Sequence, residues 1–493
     1  MDRSTNVVPA PSRWKACLIT LYSMAVLLCG AMLSMALPIA AQSPAPTYRY
    51  RAVDLGSLGG PNSAGCVPEC GYLNIEGTAI FRSDTAAPDP FQPNCLGDCY
   101  ATLGVVFQNG KYSSLSPLVG GAQTFPAWIA DTGAVAGLSE NGQIDPVSGF
   151  PEFLAVLWRG DSVTSLGTLG GTSSLAWGVN DSNQVVGASL TATPETLPLP
   201  FFYLTPVPFP VSNEMHAFLW SEGKLLDLKT LGGPDSFAQF INASGQVAGI
   251  SYTNSTPNAT TGFPTLDPFL WENGKMKDLG TLGGTMGFAT GINNQGHVIG
   301  QSNLAGDATY HPFVWRSGHL TDLNTLGGAN GASIWINQAG GIAGWADLPG
   351  NQMHHAFLWQ NGKMTDLGTV GTDPCSTAYG VNDRAQVVGN SGDGSGIEAC
   401  GPKLHGFLWE NGGPAVDLDT LFAPLSSGAQ IFGACCIADG GEILGTANLP
   451  NGDHHAVLLI PCDDTHADAP ACHASPGEVV DDSESRFRAS RLP

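Results

Sequence analysis

Five histidines, His216, His311, His355, His405 and His455, occupy one register of a recurring motif. Imidazoles repeated in this way raise the chemistry of a metal-binding ring. The residues around them point to a different use. Folding the segment after His355 back through Asn361-Gly362 sets His355 and Asp366 on one face as diagonal cross-strand neighbours. The same pairing is open to His216 with Asp227, His311 with Asp322, His405 with Asp417 and His455 with Asp54. Two copies of the motif lack the histidine, having Leu103 and Leu154, and they also lack the acid, having Ser114 and Ser165. In one further copy Asp267 takes the histidine position, opposite Asp278. A structural His-to-Asp brace is therefore expected in place of a metal ring, for which five histidines would be an awkward ligand set.

Cysteines are the next reactive group. The chain has 12 of them, and setting aside Cys17 and Cys29 in the leading segment leaves ten. Cys375 and Cys400 fall in two loops expected on one face, so a bridge between them is predicted. Cys66-x-x-x-Cys70 and Cys95-x-x-x-Cys99 repeat that placement. Four thiols so spaced could bind zinc, but an oxidising compartment favours two disulfides of unreadable connectivity. Cys435 and Cys436, with Cys462 and Cys472, could form two more.

Other candidates for chemistry are weaker. No His-Glu-x-x-His, Gly-x-Ser-x-Gly or Gly-Lys-Ser/Thr motif occurs. Ser395 sits in a glycine-rich stretch that reads as a flexible loop, and Asp393 and Glu398 could favour calcium without any loop pattern behind them. Carboxylates for glycoside cleavage are plentiful but must be paired in space. No catalytic residue, cofactor or metal ligand is assigned. Trp158, Trp220, Trp271, Trp315, Trp359 and Trp409 share a register and could form a sugar-stacking ring. Each would instead bury ~150–250 Å² in a sheet interface, an upper figure of ~4–6 kcal/mol apiece, which favours core packing. The candidate ligand-binding group is Phe201, Phe202, Tyr203 and Phe209, in the longest insert at 188–215. These aromatics either contact a glycan or protein partner or pack over the loops at 138–153 and 250–266.

The elements that must carry these residues are repeats. One half-unit reads Gly-Ile-Asn-Asn-Gln-Gly-His-Val-Ile-Gly at 291–300 and recurs around Asn74, Asp131, Asn180, Asn242, Asn337, Asn382 and Asp439. The other reads His-Ala-Phe-Leu-Trp-Gln-Asn-Gly-Lys-Met-Thr-Asp-Leu-Gly-Thr at 355–369. Alternating or β-branched runs flank Asn-Gly dipeptides in one and Asn-x-x-Gly in the other, so each predicts a hairpin. Two hairpins give a four-stranded unit, the size of one β-propeller blade.

The ends of the repeat region complement one another. An orphan final strand leads at Tyr50 to Gly60, and an orphan third strand trails at His455 to Leu459. Together they complete an eighth blade, so an all-β, closed propeller of eight four-stranded blades is predicted, with the N-terminal strand finishing the last. Closure removes two exposed sheet edges, whereas an open solenoid would carry distinct caps.

His216-Ala217-Phe218 and His355-Ala356-Phe357, each followed by Leu-Trp, Gly-Lys and Asp-Leu, resemble the HAF repeats of bacterial extracellular proteins across about residues 48–460. The resemblance implies export and repetition and brings no catalytic residues with it.

Composition agrees with a turn-rich β protein: charged residues are only 12% and Gly plus Pro are 64 and 35. The formal charge of -23 argues against nucleic acid as a partner. Residues 1–41 read as a secretion signal, with Arg3, Arg13 and Lys15 before an uncharged run from Ala16 to Leu37 and small residues at Ala40 and Ala41. Cleavage would leave no stable membrane span. The propeller is assigned to 42–460, and 461–493 to a disordered tail. The expected function is a secreted, non-enzymatic binding or adhesion propeller that recognises a surface polysaccharide or protein through its loop-rich face. The alternatives are a polysaccharide hydrolase or lyase on this scaffold, and a passive envelope or matrix component.

Overall fold

The computed structural model describes residues 48–65, 71–92, 99–195, 197, 213–394, 400–401 and 403–463. Among these residues the architecture is all-β, with six separate four-stranded sheets and one eight-stranded sheet. The larger sheet is two four-stranded units joined by a single parallel contact, Leu266 to Met286. Seven units follow in chain order at 59–114, 124–165, 170–229, 236–278, 283–322, 331–366 and 375–417. The eighth combines Gln430–Ile437, Ile443–Asn448 and His454–Pro461 with Tyr50–Asp54. Here Tyr50 pairs with Pro461 and Asp54 with Val457, antiparallel. The last strand therefore ends one residue beyond the expected boundary at 460. No helix among the described residues is long and apolar enough to cross a membrane.

Both recurring hairpins have a steric basis. Asn109, Asn273, Asn361 and Asn411 take positive φ ahead of a glycine that does the same, the conformation a two-residue primed turn requires. A glycine also recurs on the second strand of the units, as at Gly249 and Gly300, opposite the motif phenylalanines Phe269 and Phe313. A Cβ on Gly300 would stand 1.8 Å from the Phe288 carbonyl oxygen and 2.9 Å from the Phe313 ring. The glycine lets the bulged inner strand approach and leaves room for the ring. Phe218, Phe269, Phe313, Phe357 and Phe407 are fully buried as a result.

Several neighbouring units are linked by one recurring bond, which Pro268 and Pro312 in the fourth and fifth units cannot make. The third strand of one unit donates a backbone N–H to a hydroxyl on the next unit's inner strand: Ala155 to Ser174, Ala217 to Ser236, and Ala356 to Ser376, each at 2.9 Å. Ala456 of the eighth unit donates in the same way to Ser63 of the first, at 3.0 Å. Val53 and Leu55 share one apolar core with Ile80, Trp158, Leu444 and Leu458, which spans the eighth, first and second units.

A second set of links runs through the Asn turns. Each asparagine caps its own turn, as when Asn242 Oδ1 accepts the Ser244 and Gln246 N–H groups. Its Nδ2 then reaches the next unit's carbonyl, giving Asn180 to Asn242, Asn242 to Asn293, Asn293 to Asn337, Asn337 to Asn382, and Asn382 to Ala438. Buried amides and carbonyls are thereby satisfied across the unit interfaces.

Candidate functional site

Four of the five histidines form the expected brace. His216 Nδ1 lies 3.1 Å from both Asp227 oxygens, His311 Nδ1 2.9 Å from Asp322 and His355 Nδ1 2.9 Å from Asp366. His455 Nδ1 lies 2.7 Å from Asp54 Oδ1 and so ties the last strand to the first. Although burial opposes ionisation, the His216 and Lys229 donors hold Asp227 down at about 2. Asp54 and Asp366 are lowered in the same way by His455 and His355, again against burial.

His405 corrects the expected pairing with Asp417. Its Nδ1 meets Asp373 at 2.9 Å, while Asp417 accepts the Asp419 N–H and caps a 3-10 turn at Leu418–Thr420. The hairpin at Asn411 is one residue longer than the others, with Gly413-Pro414 in its turn, and its outer strand shrinks to Val416–Asp417. The tight turn that follows competes for the carboxylate.

In the fourth unit Asp267 and Asp278 stand where the others place His and Asp. Burial, with the charge of Asp278 and a hydrogen bond to it, pushes Asp267 up to about 7. Burial, with Glu195 and Glu214 nearby, pushes Asp235 up to about 8 against the pull of the Met215 N–H.

Cys375 and Cys400 form the predicted disulfide, with Cα atoms 5.4 Å apart. His354 Nε2 lies 3.3 and 3.4 Å from the two sulfurs, and burial lowers its pKa. His354, Cys375 and Cys400 are the one group of described residues with metal-ligand proximity, and the bridge already occupies both sulfurs. Replacing both cysteines by alanine releases a crosslink spanning 25 residues, which lowers stability by about 3 kcal/mol. Urea unfolding of the variant beside the oxidised parent measures it, and coincident midpoints would refute the crosslink's role.

The remaining cysteines correct one reading. Cys99, Cys435 and Cys462 are disulfide-bonded, which for Cys99 agrees with the favoured disulfides and not with zinc; Cys66, Cys70 and Cys95 lie outside the described residues. Cys436 is a buried free thiol, not half of a bridge. A β-bulge between Ala434 and Cys436 interrupts the strand alternation here, and the Cys436 sulfur lies 3.5 Å from that of Cys435 within one apolar core. Cys472, Ser395 and Glu398 also lie outside the described residues, as do Phe201, Phe202, Tyr203 and Phe209.

The register tryptophans pack as core: Trp158, Trp220, Trp315, Trp359 and Trp409 are buried and Trp271 nearly so. A different pair gathers where the inner strands converge. Trp128 and Trp335, from the second and sixth units, stack at 5.8 Å with planes 25° apart, and Phe240 meets Trp128 edge-on. Beside them is a cavity of about 220 Å³ lined by six units, opening at the end of the Asn turns. Ile241, Ile292 and Ile336 form its walls and Asp131, Asp181, Asn294 and Gln338 its mouth. Burial, reinforced by Asp181, Glu76 and Asp439, raises the Asp131 carboxyl against the Ile75 N–H. At the opposite, loop-rich end a recess of about 450 Å³ borders Ser57, Ser427 and Asn451.

The central cavity is absent from the sequence reading because its residues lie in different repeats. The only local signal was a tryptophan at inner-strand positions 128 and 335, where other units carry Tyr72, Phe240, Cys436 or glycine.

No family model matches the chain, and no curated protein does. Among solved structures it is similar to the β-propeller domain of the Trilobed protease from Pyrococcus furiosus, at 9% identity, with 69% of this chain and 91% of that one covered and a TM-score of 0.40. Porphyromonas gingivalis dipeptidyl peptidase 4 is similar at 11% identity, 86% of this chain, 61% of that chain and TM-score 0.45. TolB from Acinetobacter baumannii is similar at 9% identity, 78% and 79% coverage and TM-score 0.28. Likeness at this level bears on neither ligand nor activity.

Proposed function

We propose that this chain is a secreted, HAF-repeat binding propeller that recognises a surface polymer or protein without transforming it. The eight units are read as one closed ring. Support for closure comes from the Tyr50–Asp54 strand pairing, the His455–Asp54 brace and the Ala456-to-Ser63 bond that repeats the link between other units. The observation that carries the binding reading is the central cavity, which combines aromatic floor, apolar wall and polar mouth in the manner of a pre-formed ligand site. Recognition is thereby moved from the loop-rich end to the end of the Asn turns.

A second reading, a polysaccharide hydrolase or lyase, draws on Asp235. A carboxyl held near 8 beside Glu195 and Glu214 has the character of a general acid next to a carboxylate. Asp235 is fully buried, however, and its Oδ1 accepts the Met215 N–H, so a structural role comes first.

Residues 42–493 passed over immobilised cell-wall and plant polysaccharides distinguish the two, with retention and soluble product scored separately. Retention without product is the expected result. Product formation that is lost in Asp235→Asn would replace the binding reading with the enzymatic one. Absence of both, on polysaccharides and on whole cells, leaves a passive envelope component.

A further inference from the structure

We infer that the central cavity binds a single neutral sugar residue, at a chain end or as a side branch, and rejects anionic sugars. This rests on the binding reading above and specifies its ligand. The geometry of the mouth is the starting point. Asp131 Oδ1 accepts the Ile75 N–H and Asp181 Oδ1 accepts the Thr132 N–H, both at 3.2 Å. Asn294 Oδ1 accepts the Ala243 N–H at 2.9 Å, and Gln338 Oε1 accepts the Asn294 N–H at 2.8 Å.

Each side chain thus spends one heteroatom on the neighbouring unit, which fixes its orientation. Among the described residues the other heteroatom is left for a ligand: carboxylate acceptors on the side of the second and third units, amide NH₂ donors on the side of the fifth and sixth. A hydroxyl can both donate and accept, so a ring carrying hydroxyls around its edge satisfies both sides at once. An ammonium group, with or without N–H, offers no acceptor and leaves the amide side of the mouth unused.

Below the mouth, Ile241, Ile292, Trp128 and Trp335 present apolar surface, which suits the C–H face of a pyranose. The Trp128–Trp335 stack lies across the converging strands, so the cavity takes one ring and leaves no path for a chain to thread. No Lys or Arg lines it. Asp131, Asp181, Glu76 and Asp439 set a negative field that disfavours carboxylated or sulfated sugars.

The test is titration of residues 42–493 with glucose, galactose, mannose and N-acetylglucosamine, alongside glucuronic acid and tetramethylammonium, read by tryptophan emission. Trp335→Phe assigns the signal to the cavity floor. At least one neutral sugar is expected to saturate the response, with glucuronic acid at least tenfold weaker. Ala243 is exposed at the mouth, and Ala243→Arg should abolish the response without disturbing the fold. Asn294→Asp keeps the acceptor for the Ala243 N–H and removes the donor, and should weaken binding at least tenfold. Equal binding of glucuronic acid, or binding of tetramethylammonium alone, would overturn the inference. So would polymer retention that persists in Ala243→Arg, which moves recognition elsewhere while the binding reading stands. Loss of all retention by the parent protein strikes the binding reading itself.

Discussion

A chain beginning after Gly60 is expected to aggregate, or to unfold with at least about 5 kcal/mol less stability than one beginning at residue 42. The lost segment holds Tyr50, Val53 and Leu55, each at most 3% exposed. Removing burial of about 1.5–3 kcal/mol per large apolar side chain gives that lower bound. Two further losses accumulate on the remaining chain. The strand His454–Pro461 would present a bare hydrogen-bonding edge, an invitation to intermolecular pairing, and His455 would lose its Asp54 partner. Against a typical domain stability of about 5–15 kcal/mol the loss is decisive. Light scattering and thermal melts of the two chains measure it. A soluble monomer with an unchanged melting temperature would show that the strand is dispensable and would remove the main support for a closed ring.

The Tyr50–Asp54 strand was legible because it is a copy of a motif seen elsewhere, displaced to the other end of the chain. Repetition likewise exposed the His–Asp brace: four pairs form where one hairpin geometry is preserved, and His405 fails where Gly413-Pro414 changes that geometry. The Cys375–Cys400 bridge could be read because both residues sit at loop positions defined by the repeat. Features built between repeats could not be read this way. Each turn asparagine shows its own cap in sequence, but the Nδ2 bond to the next carbonyl depends on the distance between units. The mouth of the cavity is composed of residues that look like ordinary turn positions, and only the convergence of six inner strands brings them around one opening. The glycine opposite each motif phenylalanine was visible as a pattern, and its cause lay in a carbonyl on a strand one hairpin away.

Replacing Asp235 and Asp267 together by asparagine is expected to raise stability at alkaline pH by about 4 kcal/mol and to change it little near pH 4. Both carboxyls are displaced upward from an ordinary 3.8, Asp235 to about 8 and Asp267 to about 7, with burial as the leading cause. A raised acid binds its proton more tightly in the folded chain, so its contribution is fully present below about pH 4. That contribution fades as pH climbs through 7 for Asp267 and 8 for Asp235, because the folded state must then hold a buried charge. At about 1.36 kcal/mol for each pH unit the dry limit approaches 10 kcal/mol for the pair. Asp278 is exposed to solvent and screens its repulsion of Asp267, which brings the expected value well below that limit. Asparagine keeps the shape, still accepts the Met215 N–H at position 235, and donates to Asp278 at position 267 without titrating. Urea unfolding of parent and variant at pH 5 and pH 9 separates the effect from other titrations common to both. The difference between them should widen with pH, and Asp267→His, which installs the brace seen at His216 and Asp227, should recover the Asp267 share alone. Parallel stability profiles would mean that neither acid carries a strained proton equilibrium, and both buried carboxyls would then ionise in the folded chain without cost.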